Sequence, residues 1–117
     1  MPVNSVTKVF DNFTTGNSYS DSQLVDFLDY DKALVIIVNT GSNDAHYKVL
    51  GSAQCSRNNY DSDAVWREIQ SESTLSAGSS AEVEVTKAYA SLKVQVKSAV
   101  ADSSTKIDCF IVKKANK

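Results

Sequence analysis

In Glu82-Val83-Glu84-Val85, and again in Leu92-Lys93-Val94-Gln95-Val96-Lys97, apolar and polar side chains alternate one for one. Successive side chains of a β-strand point to opposite faces. This period of two therefore gathers Val83 with Val85, and Leu92 with Val94 and Val96, each set on one face. The pattern predicts strands with one dry and one wet face. Val94→Asp is then expected to unfold the chain, whereas Lys93→Glu or Gln95→Glu is expected to be tolerated. Residues 77–80 (Ala-Gly-Ser-Ser) read as a turn ahead of the first run, and residues 101–104 (Ala-Asp-Ser-Ser) as a turn into a last strand over 106–113. Turns this short predict antiparallel neighbours.

Upstream, Ala33-Leu34-Val35-Ile36-Ile37-Val38 is an unbroken aliphatic run, which predicts a strand buried on both faces. Residues 40–44 turn the chain into a hairpin partner over 47–52, and residues 6–10 suggest an opening strand. Two segments admit two readings. Residues 20–23 resemble a helix cap with Leu24, Phe27 and Leu28 at helical spacing, yet 23–27 also fits a strand followed by a turn. In residues 64–70, Val65 and Ile69 suit a helix, while Val65, Arg67 and Ile69 alternate. In a chain otherwise built of strands, both are assigned as strands. Seven to nine short strands predict an all-β, two-sheet antiparallel β-sandwich, immunoglobulin-like or jelly-roll-like.

A length of 117 residues suits one domain spanning 1–117, and no composition break marks a linker. The formal net charge of −2, with both signs interleaved, offers no pull toward nucleic acid. Lys113, Lys114 and Lys117 read as a solvated tail. No membrane-spanning run or secretory signal is evident, so synthesis in a cytoplasm is expected. In that setting Cys55 and Cys109 are expected to be reduced thiols.

Little in the chain suggests catalysis. His46 has no neighbours that would complete a metal or nucleophile set. Asn59, Asp61 and Asp63 have the opening spacing of a calcium loop, but Ala64 stands where glycine is needed and Gln70 where a bidentate glutamate is needed. Asp29 and Asp31 form a weaker pair still. Phosphate loops, nucleophile elbows and C-x-x-C pairs are missing. The expectation is therefore no enzyme, no cofactor and no metal. Trp66 reads as a core plug or as part of a sugar-binding platform. Tyr19, Tyr30, Tyr47, Tyr60 and Tyr89 could join either arrangement. Three coplanar exposed rings on one sheet face would favour carbohydrate.

The aliphatic strand 34–38, the hairpin strand 47–53, Val65-Trp66-Arg67-Glu68-Ile69 and Tyr89-x-x-Leu92-Lys93-Val94-x-Val96 occur in an order that resembles the small β-sandwich virion proteins of tailed bacteriophages, including capsid decoration and head or tail accessory proteins. The resemblance covers residues 23–113, with Lys93 where arginine is common. It implies a non-catalytic structural protein of the virion, bound to a capsid or tail lattice and forming a homo-oligomer. Val3, Val6, Val9 and Phe10, within residues 1–12, could form an arm that adds a strand to a neighbour's sheet, or an ordinary first strand. The alternative function is a carbohydrate- or surface-ligand-binding β-sandwich module.

Overall fold

A computed structural model describes residues 2–27, 30–52, 66–87 and 89–116. Among them are nine strands and no helix: β1 (Pro2–Thr14), β2 (Ser20–Asp21), β3 (Val25–Asp26), β4 (Lys32–Asn39), β5 (Ala45–Ser52), β6 (Trp66–Leu75), β7 (Ser80–Val85), β8 (Ser91–Ser98) and β9 (Lys106–Asn116). All pairings are antiparallel. The first sheet has the order β1-β9-β4-β7, and the second the order β2-β8-β5-β6, with β3 also on β8. β2 and β3 are two pieces of one interrupted strand. Between them Ser22 donates its N–H to the Val94 carbonyl, and its hydroxyl accepts the Val94 N–H. The interleaved order is that of a jelly roll, the second of the two sandwich types expected.

The alternating runs form as expected, but their partners differ from the sequence reading. β4 and β5 lie in different sheets, so residues 40–44 make no hairpin. Likewise β8 and β9 face one another across the core rather than pairing. A turn of four or five residues can arch between sheets about 10 Å apart as well as between neighbours. The alternation specifies which face is dry, not which strand lies alongside.

The dry faces meet in a core built from Val35, Ile37, Ile107, Cys109 and Ile111 of the first sheet and Val49, Leu92, Val94 and Val96 of the second, closed by Phe10, Phe27 and Tyr47. Burial in this core pushes the Cys109 thiol up to about 12, so it stays protonated and inert at neutral pH. Cys55 lies outside the described residues.

Three local expectations are corrected. β4 is buried on one face only, because Ala33, Val35 and Ile37 enter the core while Leu34, Ile36 and Val38 stand half out of water. Within 23–27 only Val25–Asp26 is strand, and the helical alternative fails because Leu24 points outward while Val25 and Phe27 are buried. Lys113 is no tail residue. It is buried at one end of the core, donating to the Asp26 carbonyl at 2.8 Å with its ammonium 4.5 Å from the Tyr30 ring centroid. Lys114 is exposed on β9.

At the opposite end a polar clamp ties the inter-sheet turns together. The buried Asn39 amide donates to the carbonyls of Asn43 and Leu75, and its oxygen accepts from the Gly41 N–H and the Thr105 hydroxyl. Thr15 bonds Ser98 and the Thr105 N–H. A Cβ at Gly41 would stand 2.0 Å from Thr105 Oγ1, so the clamp requires glycine there.

Candidate functional site

Because the sheets bury their inner faces in one another, their outer faces are the broad surfaces they leave to solvent. The second sheet's outer face carries His46, Lys48 and Leu50 of β5, Lys93, Gln95 and Lys97 of β8, and Trp66 and Glu68 of β6. Its charges are matched within the chain. Lys48 pairs with Glu68 at 3.2 Å, Lys97 with Glu72 at 3.7 Å and Lys93 with Asp21 at 3.2 Å, while Gln95 donates to Asp21 at 2.7 Å.

The aromatic rings of this face are covered by lysines. The Lys93 ammonium sits 4.4 Å from the Trp66 centroid, and Lys48 and Lys97 sit 4.9 and 4.8 Å from that of Tyr19. Leu50 is buried on this face, lining a shallow groove of about 290 Å³ with Trp66, Lys93 and the polar residues between them. The Tyr19 hydroxyl donates to Glu72. Burial first, and this bond second, hold the Tyr19 hydroxyl well above the ordinary tyrosine range. The same bond, more than the ammonium of Lys97, holds Glu72 below the ordinary carboxylate range.

The sugar-platform expectation is not met among the described residues. Trp66 is neither a core plug nor a bare ring, and Tyr19 alone shares its face. Tyr47 lies in the core, Tyr30 stacks on Phe27, Tyr89 packs over Gly51, and Tyr60 lies outside the described residues. Lys93 is also corrected here: it is buried, not on a wet face. Trp66 and the Asp21 side chain cover it, and neither is visible in the period of its own strand.

The first sheet's outer face is built differently. Read across β1, β9, β4 and β7, one row is Val6, Val112, Leu34 and Glu84, and the next is Lys8, Phe110, Ile36 and Glu82. Lys114 and Lys32 flank these rows at one end, and Asp108 and Val38 at the other. The centre is apolar: Val6 is 64 % exposed, and Leu34, Ile36, Val38, Phe110 and Val112 are half-buried. Lys8 lies against Asp11 at 2.9 Å and Asp108 at 3.8 Å. Lys32, Lys114, Glu82 and Glu84 form no ion pair with another described residue.

The other sequence candidates do not converge on a site. Val3, Val6, Val9 and Phe10 lie on β1, which pairs with β9 of its own chain. Phe10 is in the core, Val9 packs against it, and Val6 belongs to the exposed apolar face. Bulges between Lys8 and Phe10 and between Phe10 and Phe13, with Asn12 at a φ of 53°, interrupt this edge strand. His46 meets Thr74 at 3.2 Å through Nδ1, and no metal-binding group of three is present among the described residues. Asn59, Asp61, Asp63 and Asp29 lie outside the described residues. No described helix is long and apolar enough to cross a membrane.

The apolar outer face was missed in sequence although its signal was present. The aliphatic run of β4 predicts burial on both faces, whereas half of it faces outward. Phe110 and Val112, the outward residues of β9, carry the same signal.

No known family model and no curated protein matches the chain. Several solved structures match its fold. PirA matches with a TM-score of 0.58 and 12% identity, covering 92% of this chain and 94% of that one. The SPBc2 prophage-derived protein YomS matches with a TM-score of 0.57 and 11% identity, covering 96% and 95%. A chain of the Gx strain of infectious bursal disease virus matches with a TM-score of 0.58 and 10% identity over 99% of this chain. This chain spans about a third (32%) of that viral chain. At these identities the likeness shows the fold alone, a sandwich shared by a viral chain, a prophage-derived protein and PirA.

Proposed function

We propose that this chain is a non-catalytic structural protein that assembles with other proteins of a viral particle, as a capsid decoration or head–tail accessory protein. The observation that carries the reading is the apolar outer face of the first sheet. Monomers rarely leave a contiguous apolar patch at the centre of a sheet face, and such patches mark protein contacts. Strand edges interrupted by bulges or lined with glutamates, as β1 and β7 are, disfavour uncontrolled strand addition and direct association to the face instead. The fold shared with a prophage-derived protein and a viral chain supports the same reading.

Particles released by cells that make this chain test it. Banded on a density gradient and analysed by mass spectrometry, the particle fraction should contain the protein in a fixed ratio to the major shell or tail protein. Recovery only in the unassembled fraction at the top of the gradient would overturn the reading. Glycan affinity lost in Trp66→Ala, together with no particle association, would establish the carbohydrate-binding alternative.

A further inference from the structure

We propose that the outer face of the first sheet is self-complementary and is occupied by the same face of a second copy, across a twofold axis passing over Leu34 and Phe110. The inference deepens the assembly reading above, on which it rests only for the premise that this face is covered.

A face-to-face contact between identical sheets needs a twofold axis lying in the plane between them. Strands stand about 4.8 Å apart, and alternate residues on one face about 6.8 Å apart, so the pairing register fixes what each axis direction brings together. An axis along the strands sets Lys32 against Lys114 of the other copy. One across the strands sets Glu84 against Glu82. The diagonal running from the Glu82 corner toward Val6 sets Lys32 against Lys8. Each of these opposes like charges.

The remaining diagonal, over Leu34 and Phe110, makes the strands of the two copies cross near a right angle, one of the two established modes of sheet packing. It lays Lys32 over Glu84 of the other copy and Lys114 over Glu82, four charges of this face that form no ion pair with another described residue. It also lays Val38 over the exposed Val6, Ile36 over Val112 and Asp108 over Lys8. Leu34 and Phe110 each meet their own counterpart near the axis. Apolar residues thus cover apolar residues, and every charge at the rim meets its opposite.

Charge reversal with the purified full chain tests this directly, with association read by sedimentation and native mass spectrometry. The wild-type chain should be a dimer at micromolar concentration. The double variants Glu82→Lys/Glu84→Lys and Lys32→Glu/Lys114→Glu should each dimerise more than about tenfold more weakly, since each opposes four like charges. An equimolar mixture should restore a dimer containing one of each, because the all-basic rim then meets the all-acidic one. That rescue also shows that both variants fold. A wild-type chain that stays monomeric, variants that dimerise as well as wild type, or a mixture that remains monomeric would each overturn the inference. A monomer found in particles would sink the dimer but not the assembly role, and a dimer excluded from particles the reverse.

Discussion

The two outer faces of the sandwich come from the same alternation and the same core, yet they treat charge in opposite ways. On the second sheet, lysines, carboxylates and aromatic rings satisfy one another, and even Leu50 is covered. On the first sheet, the apolar centre is left half in water, and four charges at its rim form no ion pair with another described residue. A face that closes its own interactions contributes to folding. One that leaves them open is available to a partner, and the contrast can be tested residue by residue.

The largest effect is expected from the same substitution made on both faces. Lys93→Glu puts a buried carboxylate beside Asp21 and removes the cation over Trp66, and should cost about 3 kcal/mol in urea denaturation. Lys114→Glu, exposed on the first face, should change the stability of the monomer by less than about 0.5 kcal/mol. Equal costs would erase the distinction. Next, Leu50→Ala should cost about 2–3 kcal/mol at any protein concentration. Ile36→Ala, half-exposed, should cost only about 1 kcal/mol in the monomer, with the larger loss in association.

A smaller effect is expected from pH on the second face. Glu72 is held below its ordinary value of 4.5, so its contribution is full above that value and is lost as pH falls below it, through the lower folded value. Tyr19 is raised above its ordinary value of 10.0, so its contribution is full below that value and is lost as pH rises beyond it. Thermal melts of Tyr19→Phe should therefore show a flatter decline than wild type at both extremes. An unchanged profile would mean that the Tyr19–Glu72 bond carries no stability. The smallest effect, under about 0.5 kcal/mol, is expected for Glu82→Gln/Glu84→Gln, which should leave monomer stability nearly unaltered.

Much of the fold is legible in the sequence because one period encodes it. Val83, Val85, Leu92, Val94 and Val96 all face inward as their alternation requires. Strand partnership is not encoded that way: the turns at 40–44 and 99–105 could close a hairpin or arch between sheets, and they arch. The burial of Lys93 depends on Trp66 and Asp21, 27 and 72 positions away by number. The candidate face was half legible. Its aliphatic residues stood out, but which of them face outward depends on the pairing of β4 between β9 and β7.

The position of β9 has a consequence for biosynthesis. This strand lies between β1 and β4, and it supplies Phe110, Val112 and Lys114 to the outer face. A chain halted on the ribosome before residue 106 has β1 and the β4–β7 pair but nothing to join them, so the complete outer surface does not exist. If that surface assembles as proposed, association would be reserved for chains translated through β9, and fragments would be kept out.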